Sequence, residues 1–387
     1  MFKMFKIKTQ NKITRQGLDI FDPENYIISD GETNPDAIIV RSANMLDYEF
    51  NPELKTIARA GAGYNNIPVD KCAEAGIVVF NTPGANANAV KELATAALIL
   101  SSRDICGGIE WAKTLTENVA KEVETGKSKF VGFEVSGKTL GIIGVGKIGA
   151  PVANVGVALG MNVIGQDPYM TVENAISLTR TVKMVKERDE IFAKSDYISL
   201  HPFYTSEIKH MINAEAIAKM KDGVRIINLT RAELVDDDAM AAALASGKVA
   251  KYVTDFPNEK VLKMKNAIAI PHLGASTEES EDNCAIMAVN QIIDFLENGN
   301  IKNSVNYPDL AVARTTDARI CIFHKNVSGI ISKISSAVSD FGINIEHFTN
   351  RSRGDYAYSI CDINGKIPDD LLVKLTADKD IIKVTVF

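Results

Sequence analysis

The stretch TLGIIGVGKIGAPVANVGVALGMNVIGQD, residues 139–167, begins more than a third of the way along the chain, and its reading decides the fold. A short apolar run, Leu140 to Ile143, has the length of a buried strand and enters a turn holding Gly144, Gly146 and Gly149. A helical pattern follows, then a second apolar run that ends in Asp167. Strand, G-x-G-x-x-G, helix, strand and terminal acid in one unit make a dinucleotide-binding fingerprint, whereas three glycines alone would be weak evidence. The turn residues Gly144, Gly146, Lys147, Ile148 and Gly149 can bring backbone N–H groups and a helix N-terminus up to a pyrophosphate. Asp167 would accept hydrogen bonds from ribose hydroxyls and repel a 2′-phosphate. No Arg or Lys stands at Pro168, Tyr169 or Met170, so NAD is expected rather than NADP.

Outward from that unit, 387 residues are too many for one compact core and predict two or three domains. A composition of 46% hydrophobic and 24% charged residues is that of a globular chain, and a net charge of −6 argues against nucleic acid as a partner. No apolar run is long enough to span a membrane. Five cysteines (Cys72, Cys106, Cys284, Cys321, Cys361) lack C-x-x-C pairing and metal-ligand spacing, so core thiols in a cytoplasmic protein without a metal are expected. The basic start (Lys3, Lys6, Lys8, Lys12, Arg15) reads as a first strand with solvated lysines, with a short organelle presequence as the other reading.

From 139 to 271 strand-like runs alternate with helical segments: Val182–Val185, Tyr197–Leu200, Arg225–Leu229, Tyr252–Thr254 and Ala267–Ile270. This is the rhythm of a Rossmann-type doubly wound parallel α/β sheet. Residues 1–87, with runs at Ala37–Val40, Thr56–Ala60 and Ile77–Phe80, read as a smaller α/β unit. A buried helix is expected over Asn88–Arg103 and a long amphipathic one over Thr277–Asn298. Tyr307 to Asp317 reads as a linker. The tail, 318–387, predicts the order β-α-β-β-α-β of a ferredoxin-like unit, its second helix opening with Asp369 as N-cap.

In an open parallel sheet, reactive side chains belong at the carboxyl ends of strands. Arg231 follows the run RIINLT, Glu259 follows a strand and the turn Phe256-Pro257-Asn258, and His272 follows AIAIP. An imidazole titrating near neutrality can exchange a proton with a hydroxyl, a carboxylate can sustain the imidazolium, and a guanidinium can grip a substrate carboxylate. Each residue alone has an ordinary surface or strand-end explanation; three at the ends of strands in one dinucleotide-binding sheet favour hydride-transfer chemistry. His201, ending the run YISLH, is a weaker candidate for lining the nicotinamide pocket; no Ser-His-Asp order, metal cluster or P-loop appears.

With these residues in view, the chain resembles the D-2-hydroxyacid dehydrogenases over nearly its full length, and most closely the branch that oxidises 3-phosphoglycerate and carries a C-terminal ACT domain. The resemblance places the catalytic set of the family in NLTRAELVDDDA, FPNE and IPHLGAST, hence on Arg231, Glu259 and His272. It places substrate contacts at Arg41 and Ser42 (IVRSAN), at Gly61, Ala62 and Gly63 (ARAGAGYNNI) and at Asn86 (FNTPGANANAVKEL), and cofactor contacts at Thr230, His201 and Asp255. It also implies a Rossmann-type NAD domain, 88–275, inserted into a flavodoxin-like substrate domain formed by 1–87 and 276–306, with a closing cleft between the lobes. A linker, 307–317, and an ACT domain, 318–387, would follow. In that tail His324, Asn326 and Asn344 match residues that bind L-serine as an effector.

The expectation is therefore NAD-dependent oxidation of 3-phospho-D-glycerate to 3-phosphohydroxypyruvate, the entry step of L-serine synthesis, by a cytoplasmic homodimer or homotetramer. The alternatives are a glyoxylate or hydroxypyruvate reductase, or another D-2-hydroxyacid dehydrogenase. Outside enzymology, the alternative is an NADH-sensing corepressor-like protein. Three positions depart from the family pattern. Ala232 stands where glycine is usual, Ser328-Gly329 where Pro-Gly is usual, and Thr254-Asp255-Phe256-Pro257 displaces by one place the acid that would meet the nicotinamide amide.

Overall fold

The computed structural model describes residues 4–387, and the chain divides into two compact units. One joins Met1–Asn86 to Glu278–Phe387, and the other is Ala87–Thr277. Among the described residues no helix is long and apolar enough to cross a membrane.

The first unit opens with a five-stranded sheet, β1 (Phe5–Gln10), β2 (Tyr26–Ser29), β3 (Ala37–Val40), β4 (Thr56–Arg59) and β5 (Val78–Phe80). Every pair is parallel and the order is β2-β1-β3-β4-β5, the flavodoxin-type arrangement. A parallel sheet is covered on both faces, so, although β1 (FKIKTQ) keeps an alternating pattern, its inner strands are apolar throughout rather than alternating. β3 shows this directly. Ile38 and Val40 point into a core with Leu54, Ile57, Ile67 and Val79, while Ala37 and Ile39 point into another that includes the helix Glu278–Asn298. That helix buries Cys284, Ala285, Ala288, Val289, Ile292, Phe295 and Leu296 along one stripe. Its first turn carries Glu278, Glu279 and Glu281, favourable at the positive end of the helix dipole.

The second unit is built on seven parallel strands, β6 (Thr139–Ile143), β7 (Asn162–Gln166), β8 (Lys183–Met184), β9 (Tyr197–Leu200), β10 (Val224–Asn228), β11 (Val249–Thr254) and β12 (Ala267–Ala269). Their order, β12-β11-β10-β9-β6-β7-β8, reverses direction at β6, the strand that feeds the glycine turn. This is the doubly wound arrangement expected from the alternating runs. The helix Ala87–Ser102 buries Ala94, Ala97 and Leu98, in accord with its nearly apolar second half.

The tail forms an antiparallel sheet of β13 (Ala318–Lys325), β14 (Ile345–Arg353), β15 (Tyr356–Ile363) and β16 (Ile381–Val386) in the order β14-β15-β13-β16. With the helices Ile330–Ser339 and Asp369–Thr376 it is a ferredoxin-like βαββαβ fold. Pro368, not Asp369, occupies the N-cap position, so Asp369 is the first helical residue and still places its charge in the first turn.

Two features differ from the sequence reading for one physical reason, the apolar content of both faces of this sheet. Alternate residues Ile320, Ile322, Cys361 and Ile363 face the two helices. Cys321, Phe323, Tyr358 and Ile360 face the other way and merge with the core that holds Phe295, Tyr307 and Leu310. The tail thus shares a core with the five-stranded sheet and the long helix of the first unit. The stretch after Tyr307, read as a linker, starts as core. Tyr307 is fully buried and donates to the Ala73 carbonyl at 2.6 Å, and Leu310 bridges Ile301.

A buried ion pair fastens this junction. Arg319 and Asp362 are 0% and 1% exposed, and they meet in bidentate fashion, Nε to Oδ1 at 2.6 Å and Nη2 to Oδ2 at 2.8 Å. Nη1 donates to the carbonyls of Asn298 at 2.8 Å and Val312 at 3.0 Å, so one guanidinium joins the tail sheet, the end of the long helix and the connecting segment. Tyr358 adds a bond from its hydroxyl to the Gly299 carbonyl at 2.6 Å, and Lys383 one from Nζ to the Leu54 carbonyl at 2.8 Å. Removing one partner of a fully buried pair strands the other charge, at a cost of about 3–5 kcal/mol. Arg319→Ala should therefore lower the free energy of unfolding by about that amount in a urea melt followed by circular dichroism. A loss below about 1 kcal/mol would show that the pair is not what fastens the tail.

Candidate active site

The glycine turn is shaped for a close ligand approach. Gly144 has φ +86°, and a Cβ there would lie 2.4 Å from the Pro202 nitrogen. A Cβ on Gly149 would lie 1.9 Å from the Gly144 carbonyl oxygen, whereas one on Gly146 would meet nothing within 4 Å. The turn is thus packed tightly on its inner side and open at its tip. The amides of Gly146, Lys147 and Ile148 donate to no backbone carbonyl among the described residues. They precede the ten-residue helix Gly149–Ala158. Open space, free N–H groups and the positive end of a helix dipole fit a pyrophosphate. Asp167, just past β7, accepts the Val145 N–H through Oδ2 at 2.9 Å and the Tyr169 N–H through Oδ1 at 2.8 Å. Both oxygens are therefore held at the edge of the same turn. The Lys147 ammonium pairs with Glu173 at 2.6 Å on the surface.

Five further residues follow the ends of β9, β10, β11 and β12, the carboxyl edge of the sheet. His201 follows β9. Its Nε2 lies 2.8 Å from the Ser199 hydroxyl, its buried Nδ1 has no partner, and burial pushes its pKa down to about 4. It is a neutral imidazole at physiological pH. Thr230 and Arg231 follow β10. The Thr230 hydroxyl is committed to the Leu200 carbonyl at 2.6 Å, so its side chain stitches β10 to β9. Asn228 accepts the amides of Thr230 and Arg231 and donates to the Arg231 carbonyl at 2.8 Å, which fixes the turn. The half-buried guanidinium is steered by a bond from Nη1 to the Thr230 carbonyl at 3.0 Å.

Asp255 and His272 complete the group. Asp255 is 1% exposed; its Oδ2 accepts the Gly274 N–H at 3.1 Å and its buried Oδ1 has no partner. Burial raises its pKa, while the Gly274 bond and the charges of His272 and Arg231 act in the opposite direction. The His272 ring packs against Phe256 with centroids 4.9 Å apart, and the side chain is otherwise exposed. Glu259 is exposed and forms no hydrogen bond or ion pair with His272 among the described residues. The pairing expected between these two is therefore not made. The physical reason lies next door, where Asn258 bonds Asp237 at 2.8 Å and accepts the Lys260 and Val261 amides, holding the chain in a surface turn.

The chain belongs to a known family on independent grounds. A family model described as the NAD binding domain of D-isomer specific 2-hydroxyacid dehydrogenases matches residues 101–274. A hydroxypyruvate reductase of Thermotoga maritima is 39% identical over 67% of this chain and 85% of its own length. This protein is a member of the D-isomer-specific 2-hydroxyacid dehydrogenase family. A D-3-phosphoglycerate dehydrogenase of Synechocystis is 34% identical over 80% of this chain and 57% of its own length; one of Archaeoglobus fulgidus is 35% identical over 71% and 52%. The chain spans about half the length of these curated relatives. Among solved structures, the NAD+-bound 3-phosphoglycerate dehydrogenase of Entamoeba histolytica is 30% identical with a TM-score of 0.63, covering 79% of this chain and all of the other.

As a member of this family the protein takes NAD in the domain built on β6 to β12. In the first unit, the residues nominated as substrate contacts lie around two arginines. Arg41 pairs through Nη1 with Glu281 at 2.7 Å, and the Arg59 Nε donates to the Arg41 carbonyl at 3.1 Å. The Arg59 guanidinium lies along Gly61, where a Cβ would fall 1.8 Å from Nη1. Both arginine charges also act on the buried thiol of Cys284, against the upward push of burial. The Ser42 amide is bound by Asn11 at 3.0 Å, the Ala62 carbonyl accepts from Asn81 at 2.6 Å, and Asn86 keeps a buried Oδ1 without a partner. The sequence reading named Arg41, Ser42 and Gly61 to Gly63 but passed over Arg59 and Glu281. Arg59 was legible as a second basic residue inside ARAGAG; Glu281 lies far along the chain and could be found only through the fold.

The three tail residues nominated for an effector are not drawn together. The His324 ring is fully buried, with Nδ1 2.8 Å from the Lys325 carbonyl and Nε2 2.9 Å from the Ser359 hydroxyl and 3.1 Å from the Asn350 Oδ1. Asn326 donates to the Gly354 carbonyl at 3.1 Å and Asn344 to Glu346 at 2.9 Å, both on the surface.

The expected ribose role of Asp167 is tested by Asp167→Asn, which removes the negative charge held at the edge of the glycine turn. Since hydrogen bonds to a charged group contribute about 1.5–3 kcal/mol, NAD should bind about tenfold or more weakly and the margin over NADP should shrink. Titration of both cofactors by intrinsic fluorescence checks this, and an unchanged preference would remove Asp167 from the ribose site.

Proposed function

We propose that the protein oxidises 3-phospho-D-glycerate to 3-phosphohydroxypyruvate with NAD, the entry reaction of L-serine synthesis, as a cytoplasmic homo-oligomer. The observation that carries the reading is the placement of Arg231, Asp255 and His272 just after the neighbouring strands β10, β11 and β12, at the carboxyl edge of the NAD-binding sheet. Support for a phosphorylated substrate comes from the two arginines, Arg41 and Arg59, beside the Gly61 loop. The relatives named as D-3-phosphoglycerate dehydrogenases and the ferredoxin-like tail point the same way. Five free cysteines suit a reducing compartment.

NAD, when bound, supplies the hydride acceptor. His272 takes the proton of the substrate hydroxyl as the carbonyl forms, and its exposed ring can pass that proton to solvent. Arg231, oriented by its bond to the Thr230 carbonyl, grips the substrate carboxylate and stabilises charge growing on the carbonyl oxygen. Neutral His201 offers a hydrogen bond without adding charge beside a nicotinamide.

Because general acid–base catalysis contributes roughly 10²–10⁴ in rate, His272→Ala should reduce turnover by that factor while leaving the fold intact. Initial rates on purified protein check it, and near-normal turnover would end the assignment. Arg41→Ala should raise KM for 3-phosphoglycerate far more than for unphosphorylated hydroxy acids; an equal rise for both would take Arg41 out of the phosphate site.

A second reading, reduction of hydroxypyruvate or glyoxylate, is favoured by the 39% identity to the Thermotoga maritima hydroxypyruvate reductase. Rates with 3-phosphoglycerate and NAD set against rates with hydroxypyruvate and NADH separate the two. Adding L-serine to the first assay tests the tail for feedback control.

A further inference from the structure

The carboxyl edge of the five-stranded sheet carries a charge cluster of its own. Arg41 follows β3 and Arg59 ends β4, and these two strands pair with Val40 opposite Arg59. The Arg59 Nε donates to the Arg41 carbonyl at 3.1 Å, and both guanidinium charges act on the Cys284 thiol of the helix Glu278–Asn298. Two cations thus lie beside the start of that helix. The helix answers with a carboxylate: Glu281, in its first turn, meets the Arg41 Nη1 at 2.7 Å. The two side chains are 36% and 35% exposed, so the pair is open to solvent and weak enough to be exchanged for another. A bare helix N-terminus attracts anions, but here Glu278, Glu279 and Glu281 already supply negative charge to it.

We propose that Glu281 determines specificity as an internal competitor for the Arg41 guanidinium, keeping small free anions such as inorganic phosphate out of the site. The inference rests on Arg41 belonging to the phosphate subsite. A phosphate monoester carries about −1.5 to −2 charge near neutrality and seeks the donors that Glu281 occupies. To bind, it must displace the carboxylate from Nη1 and then stay beside its negative charge, and like charges in apposition are costly. A free phosphate has nothing to offset that cost. A phosphate tethered to a second group that the protein also holds competes at a high effective concentration and wins the guanidinium. Glu281 thereby makes the site select for the whole phosphorylated substrate rather than for its phosphate alone.

The test measures binding of inorganic phosphate to the full chain by isothermal titration calorimetry, without turnover. Glu281→Gln keeps the shape of the side chain and an acceptor oxygen while removing the charge. It should bind phosphate about tenfold more tightly than the unaltered protein. Adding Arg41→Ala to that variant should abolish the gain. Glu279→Gln removes a charge from the same helix turn without touching the Arg41 pair and should give a much smaller gain. Glu281→Ser repeats the charge removal with a shorter side chain, and thermal melts of both variants guard against a fold defect. Unchanged or weaker phosphate binding in Glu281→Gln and Glu281→Ser overturns the proposal and makes Glu281 a residue that merely orients Arg41. An equal gain in Glu279→Gln overturns it too, since bulk charge would then be the cause. If phosphate binds more tightly in Glu281→Gln but 3-phosphoglycerate is not oxidised, the proposed activity fails while the competition stands. If 3-phosphoglycerate is oxidised and phosphate affinity does not rise, the competition fails while the activity stands.

Discussion

The carboxyl ends of parallel strands all lie along one edge of a sheet, and the candidate chemistry depends on that constraint. Residues 201, 231, 255 and 272 are far apart in the chain but follow four neighbouring strands, β9 to β12. Their places along one edge come from strand register rather than from any special local sequence. β9, β10 and β11 pair in step, so Leu200, Asn228 and Thr254 end level with one another. The reversal of strand order at β6 then opens the glycine turn on the same edge. Apolar residues on both faces of the central strands are the physical condition for this, since they let helices cover the sheet on each side.

Much of the architecture was legible because parallel, fully buried strands leave short apolar runs bounded by turns. Runs at Ala37, Tyr197, Arg225 and Ala267 fall on strands within a residue or two. The tail was equally readable as a βαββαβ pattern, because its helices show apolar steps of three and four. What the sequence did not disclose was which side of the tail sheet would be covered and by what. Cys321, Phe323 and Tyr358 on one face and Ile320 and Ile322 on the other read as strand residues of either orientation, and only the fold pairs the first set with Phe295 and Tyr307.

The site was legible in part for the same reason. Strand-end position is a sequence property, so Arg231, Asp255 and His272 could be nominated from runs and turns. The different settings of two nearby carboxylates could not, because Asp255 and Glu259 are four residues apart and what separates them is burial. Asp255 is enclosed with an unpartnered oxygen, while Glu259 sits on a turn held open by Asn258. Arg59 and Glu281 show the same limit from the other side, since a partner contributed by a distant helix leaves no local trace.

The buried contact of Arg319 with Asp362, Asn298 and Val312 bears on how a signal could travel. A sensor hung on a slack tether reports by changing where it docks. Here the guanidinium welds the terminal sheet to the long helix, and that option is closed. Whatever a small molecule does at this end of the polypeptide must pass as strain or stiffness through a continuous core that includes the arginine-bearing lobe. Cutting the chain before residue 318 would then leave the remaining lobe with an uncovered oily face.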